Sequence, residues 1–269
     1  MRAVEGPTRR GGTPVRPDHG QVTGRYGDAV TSGVIRDAGL PEKSRVISVG
    51  RPPWWAVVVA LVVGGLVTAN LLAGGVLERV DLRVSETIDG WGLRDSTAYP
   101  VVWAITQLGG RAAILIVLAV LVSYLAWSRH TWVPLFRVLL ALATLTVFVY
   151  ALKHGTGRTA PGHPDELFFQ VDGASFPSGH VANAVLMWGV ARWQAVEYGL
   201  PLRVQRAFWV LSIAGPALTG LAMVSLNFHW VTDAVVGAAV GVVLLGVVHA
   251  LDAVVLSRWV RARAGRQSA

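Results

Sequence analysis

The chain of 269 residues is 53% hydrophobic and 15% charged, with a mean hydropathy of +0.50, far below the ~25% charge of an ordinary soluble domain. Such a composition excludes a soluble enzyme, and the absence of cysteine excludes a disulfide framework, a thiolate metal site and a cysteine nucleophile. The net charge of +8 does not point to nucleic acid, because the basic residues stand in short flanks between apolar runs, the pattern of membrane topology.

Residues 1–50 are rich in Gly, Pro, Arg and Asp without apolar periodicity, so they read as a disordered basic tail that cannot bury enough surface to offset its ordering entropy. No apolar stretch precedes Trp54, which argues against a secretory signal and for the first apolar run as a retained anchor. The run Trp54–Leu77 is nearly uncharged and long enough to cross a hydrocarbon core of about 30 Å as a helix. Thr97–Leu108, before Gly109-Gly110-Arg111, reads as a short interfacial helix. Further spans are expected at Ala112–Trp127, Trp132–Leu152, His180–Ala195, Ala207–Phe228 and Val231–Leu256, the fourth span being the least apolar. The fold class is therefore all-α: an integral membrane bundle of six transmembrane helices over residues 51–262, behind the tail.

Loop charges agree with this count if the amino terminus is cytoplasmic, since cytoplasmic loops favour Arg and Lys. Arg129 and Arg137 then lie inside, as do Arg192, Arg203 and Arg206, and the tail with Arg258, Arg261, Arg263 and Arg266. The outer segments are mixed. One carries Glu78, Arg79, Asp81, Arg83, Glu86, Asp89, Arg94 and Asp95, and the other Lys153, Arg158, Asp165, Glu166 and Asp172. Gly237 and Gly241 form a small-xxx-small pair suited to helix packing. No phosphate-binding glycine loop of a nucleotide-driven motor is present.

Three polar clusters fall on the same outer side: Lys153 with Arg158, Ser175-Phe176-Pro177-Ser178-Gly179-His180, and His229 with Asp233. Each has a bland reading. Lys153 can snorkel to headgroups, Pro177-Ser178-Gly179 can be a helix-capping turn, and His229 with Asp233 can be a surface pair at i,i+4. Their convergence on one face, deduced from other residues, makes independent bland explanations less attractive and marks a site. The residue types suit phosphoryl transfer. Cations and backbone N–H groups at a helix start hold phosphate oxygens, and two histidines divide attack on phosphorus from protonation of the departing oxygen, so no metal or other cofactor is called for.

Across residues 54–256 the chain resembles the type 2 phosphatidic acid phosphatases, which share a site design with vanadium haloperoxidases. Pro177-Ser178-Gly179-His180 matches the family's second motif, and His229 with Asp233 matches the end of its third. The resemblance implies His229 as nucleophile forming a phosphohistidine, Asp233 orienting it and His180 as general acid. Lys153, Ser178 and Gly179 then hold the phosphate. Two motif arginines are replaced, by Ala160 in the first motif and Met223 in the third, and Arg158 is expected to substitute in part. The implied activity is hydrolysis or transfer on a lipid phosphate or polyprenyl pyrophosphate, undecaprenyl pyrophosphate included, at the outer leaflet of the plasma membrane. The alternative is a weak or inactive relative that binds a phosphorylated lipid or a membrane partner. A transporter ranks last, since mid-span charges and broken helices are lacking.

Overall fold

Proline and glycine set most of the helix ends. In the computed structural model, which describes residues 52–162 and 167–267, Pro53 precedes α1 (Trp54–Leu72) and Gly74, in the left-handed region at φ 63°, ends it. The first span is thus shorter than the expected Trp54–Leu77. An amphipathic helix, α2 (Val76–Asp89), follows where the sequence suggested only a mixed-charge segment. A 3₁₀ turn at Leu93–Asp95 leads to α3 (Tyr99–Thr106), the expected interfacial helix. Then come α4 (Arg111–Arg129), α5 (Val133–Thr156), α6 (Gly179–Glu197), α7 (Leu202–Ser225) and α8 (Val231–Gln267). The expected tail at residues 1–50, Asp165 and Glu166, and the side chains of Arg258, Arg261, Arg263 and Arg266 lie outside the described residues.

Among the described residues, five helices are long and apolar enough to cross a membrane: α1, α4, α5, α7 and residues 231–255 of α8. The remaining expected span, the fourth, is α6, at 19 residues long enough but less apolar. Its position explains why. α6 packs against α4, α5, α7 and α8, and its buried residues run from Val181 to Ala195, including Asn183 and Gln194. A helix wrapped by protein need not match lipid, and small and polar side chains serve its contacts. Leu118, Leu145, Leu186, Met187 and Leu244 form the core around it. Outward-facing Leu61, Leu66, Ile116, Val120, Val147, Ile213 and Leu221 are exposed, as a lipid-facing surface requires. Exposed Trp54, Trp55, Trp127 and Trp132 stand at one end of the bundle, near the start of α1, the end of α4 and the start of α5. Such a belt suits a membrane interface.

Gly237 and Gly241 are packing residues. A Cβ on Gly237 would lie 2.6 Å from the Ser178 carbonyl oxygen, and one on Gly241 2.6 Å from Val185 Cβ. α8 can approach the start of α6 this closely only with glycine there. Arg137, expected as a cytoplasmic loop charge, is instead buried in α5. It makes two bonds to Asp252, at 3.0 and 2.9 Å, and one to Glu197 at 2.9 Å, with its guanidinium 4.1 Å from the Trp193 ring. Two carboxylates supplied by α6 and α8 make that burial tolerable.

Candidate active site

The helix order brings the C-terminal ends of α5 and α7 and the N-terminal ends of α4, α6 and α8 to one end of the bundle. Lys153 sits in the last turn of α5, which Gly157 closes at φ 51°. A Cβ at Gly157 would meet the Gln170 carbonyl at 2.6 Å. The following loop therefore folds back tightly, with Phe169 N–H donating to Thr156 O at 2.9 Å and Ser175 N–H to Arg158 O at 2.8 Å. This return lays Ala174 over Lys153, whose ammonium donates to the Ala174 carbonyl. It then delivers Ser175 to α8 and Gly179-His180 to the first turn of α6. On the other side, Arg94 donates to the carbonyls of Leu226 and Asn227, both at 2.6 Å, and Ser85 Oγ to Asn227 Oδ1 at 2.8 Å. These bonds clasp the α7–α8 turn that carries His229.

One cavity of about 790 Å³ is lined by Lys153, Gly179, His180 and His229, together with Arg111, His154, Thr159, Ala160, Asp172 and Asn183. Asp172 is its sole acidic lining residue among those described, against Arg111, Lys153 and three histidines, so the charge favours an anion. The cavity wall continues to Leu145 and Val149, two turns and one turn below Lys153 on α5, which adds an apolar slot beside the polar end.

His229 is 11% exposed, and Asp233 behind it is fully buried. His229 Nδ1 lies 3.2 Å from Ser175 Oγ and 3.3 Å from Asp233 Oδ2. Ser175 Oγ itself donates to Asp233 Oδ2, so the Nδ1 position is the donor, shared between the two oxygens. That assignment leaves the Nε2 lone pair free. Asp233 Oδ2 also accepts the Trp230 N–H at 3.2 Å.

Arg158 does not face the cavity. It is wholly buried, with Nη1 on Asp233 Oδ1 at 2.6 Å and Thr232 Oγ1 at 2.8 Å, and Nη2 on Asp81 Oδ2 at 2.8 Å. Its guanidinium stands 5.2 Å from the Trp230 ring centre and 5.1 Å from that of Phe168. The expected phosphate contact is replaced by a chain Asp81–Arg158–Asp233–His229, because two carboxylates hold the guanidinium more strongly than an open cavity would. Ser178 is displaced from its expected role as well. It is fully buried, and its N–H donates to the Asp233 carbonyl at 3.0 Å, tying α6 to α8. Gly179, His180, Lys153 and His229 are the expected residues that share the cavity. Of the two replaced arginine positions, Ala160 is on the cavity wall, whereas Met223 is buried, 4% exposed, in α7.

Asp81 and Arg111 were not among the residues the sequence marked as a site, and Ser175, which opens the second cluster, was given no role of its own. Asp81 had a signal, an acid within the apolar stripe Leu77, Asp81, Val84 and Ile88 of α2, where burial implies a partner. Ser175 and Arg111 had none beyond proximity to a motif and to a glycine pair.

Comparison with known proteins follows this geometry. The model of the PAP2 superfamily matches residues 134–255. Phosphatidylglycerophosphatase B of Bacillus subtilis (strain 168) is 30% identical over 154 residues, 56% of this chain and 74% of that protein. The chain belongs to the PAP2 superfamily. The crystal structure of a transmembrane PAP2-type phosphatidylglycerolphosphate phosphatase from Bacillus subtilis has the same fold, with a TM-score of 0.55 and 21% identity over 74% of this chain and 95% of that one. As a membrane protein of the PAP2 superfamily, homologous to a lipid phosphatase, the chain carries its site within the matched segment apart from Arg111 on α4 and Asp81 on α2.

Proposed function

We propose that this PAP2 protein hydrolyses a lipid phosphate or polyprenyl pyrophosphate through a phosphohistidine at His229. The observation that carries the reading is the placement of Ser175 Oγ and Asp233 Oδ2 beside Nδ1 of His229. Ser175 and Asp233 hold Nδ1–H, which leaves Nε2 for phosphorus in a cavity also walled by Lys153, Gly179 and His180. Nε2 attacks phosphorus as the bond to the departing oxygen breaks. The electron pair leaves on that oxygen, and for an ester His180 supplies a proton. A water then gives its proton to His180 and its oxygen to phosphorus, the N–P pair returning to His229. Lys153 and the Gly179 N–H stabilise the equatorial oxygens. Asp233 and Ser175 are positioning residues for His229, and Arg158 positions Asp233. The apolar slot at Leu145 and Val149 suits an acyl or prenyl chain.

With the amino terminus cytoplasmic, the cavity opens at the outer leaflet of the plasma membrane and both termini lie inside; the arginines near the ends of α4 and α6 and the start of α7 support that orientation. Phosphate release by purified protein in detergent tests the reading, with phosphatidic acid, phosphatidylglycerol phosphate and undecaprenyl pyrophosphate as substrates. Activity is expected to persist in chelator, to be blocked by vanadate and to vanish in His229→Ala. Equal rates in wild type and His229→Ala would refute it. They would favour the alternative of a phospholipid-binding relative, which Ala160 and Met223 at the two arginine positions support.

A further inference from the structure

Of the lysine and arginine side chains that line the cavity among the described residues, Arg111 alone has no task in the mechanism above. It begins α4, lines the same wall as His180 and lies within electrostatic reach of the His180 imidazole together with Lys153 and His229. Among the described residues it has no hydrogen-bond or ion-pair partner. Its backbone, in contrast, is held firmly. The Gly109 carbonyl accepts Asn183 Nδ2–H at 2.9 Å and the Leu108 carbonyl accepts Trp188 Nε1–H at 2.8 Å, so the turn before Arg111 is bonded to α6 just beyond His180. A Cβ at Gly109 would lie 2.5 Å from the His180 carbonyl oxygen and 2.5 Å from Thr219 Cγ2. Glycine there lets the turn lie directly on the residue that receives the leaving group.

We infer that Arg111 binds the leaving phosphate of a lipid diphosphate, so that the site prefers a diphosphate to a monoester of the same lipid. The inference rests on the reading of His229 as nucleophile and His180 as the group at the departing oxygen. In-line displacement sends the leaving group away from His229 and toward His180. With a monoester that group is an alcohol, neutral once His180 has protonated it, and a guanidinium beside it has nothing to bind. With a diphosphate, Nε2 of His229 bonds to the terminal phosphorus, the bond from that phosphorus to the bridging oxygen breaks, and its electron pair stays on the departing lipid monophosphate. Charge grows there as the bond lengthens, and a planar guanidinium matches two phosphate oxygens as an ammonium cannot. Water then gives its oxygen to that phosphorus and its proton to a His180 that is neutral on this path, the N–P electron pair returns to His229, and inorganic phosphate leaves. Arg111 thereby returns a cation to a site that lacks two, but on the leaving-group side. The walls at Leu145 and Val149 select the lipid over a soluble diphosphate.

Farnesyl diphosphate and farnesyl monophosphate differ by one phosphate and test the inference with full-length protein in detergent. Wild type should show the higher kcat/KM on the diphosphate, with inorganic pyrophosphate a poor substrate. Arg111→Ala should lower kcat/KM on farnesyl diphosphate by about 10², as loss of one preorganised donor does, and lower it far less on the monophosphate. Arg111→Lys should recover part of the loss. Equal losses on both substrates, or none, overturn the inference while leaving the hydrolase reading intact. A second readout needs no turnover: in His229→Ala protein, Arg111→Ala should weaken binding of farnesyl methylenediphosphonate by about tenfold or more, the effect of one charge-assisted contact, and spare farnesyl phosphonate. If that difference persists where wild type releases no phosphate, the hydrolase reading fails and the diphosphate site stands. If the two phosphonates bind alike in both backgrounds, the site is not a diphosphate site.

Discussion

Replacing Arg158 with methionine removes a guanidinium from a fully buried position between Asp81, 1% exposed, and Asp233, 0% exposed. The structure sets the magnitude. Three charge-assisted or buried bonds disappear, to Asp81 and Thr232 at 2.8 Å and to Asp233 at 2.6 Å, and two carboxylates are left facing a methionine. Breaking a buried pair by deleting one partner costs about 3–5 kcal/mol, which for a domain of this size lowers Tm by roughly 6–20 °C. Because Asp233 then loses the contact that orients it, kcat should fall while KM and vanadate inhibition change little. Asp81→Asn in the Arg158→Met background should recover part of the lost Tm, since one of the two stranded charges is gone. Thermal unfolding in detergent, paired with phosphate-release kinetics on the surviving protein, measures all three quantities. An Arg158→Met protein of unchanged Tm but raised KM and weakened vanadate inhibition would show that the guanidinium faces phosphate, and the buried chain from Asp81 to His229 would be wrong.

Ser175→Ala should lower kcat by about 2- to 12-fold, the effect of one hydrogen bond on the His229 tautomer, with Tm nearly unchanged; a rate equal to wild type would remove Ser175 from the site. Gly237→Ala places a Cβ 2.6 Å from the Ser178 carbonyl and should destabilise by about 1–3 kcal/mol while reducing activity, because α6 carries His180 and α8 follows directly on the turn that carries His229; full activity at unchanged Tm would contradict their close approach. Ala160→Arg, on the cavity wall, should raise phosphate release by about tenfold if a charge-assisted contact forms. Met223→Arg buries a charge at a site 4% exposed and should abolish folding or lower Tm sharply; a stable, faster Met223→Arg enzyme would show that α7 turns this position toward the cavity.

Much of this protein is legible along the chain because bilayer thickness and helix rise translate directly into apolar run length. Five of the expected spans correspond to helices apolar enough to cross a membrane, and Gly237 and Gly241 behave as their spacing implies. The site motifs are legible for a similar reason. His229 and Asp233 lie four residues apart across the start of α8 and Ser175 to His180 are consecutive, so their chemistry is local. The departures are tertiary. The fourth span is less apolar because α6 is surrounded by four other helices. Arg137 looks like a loop charge until Glu197 and Asp252, from two other helices, close on it.

Residue types, run lengths and motif spacing therefore determined the membrane class and the span order, and singled out two histidines that the fold places on one cavity. What each charge does was decided only when the helices packed. Arg158 is followed within two residues by the first-motif position now held by Ala160, yet it serves the carboxylates Asp81 and Asp233, which lie 77 and 75 residues away in the chain. Arg111 lies outside every motif, yet the turn before it is bonded to the helix of His180. The physical reason is that electrostatic interaction depends on separation in space and on burial, not on separation along the chain, and in a bundle both are properties of helix packing.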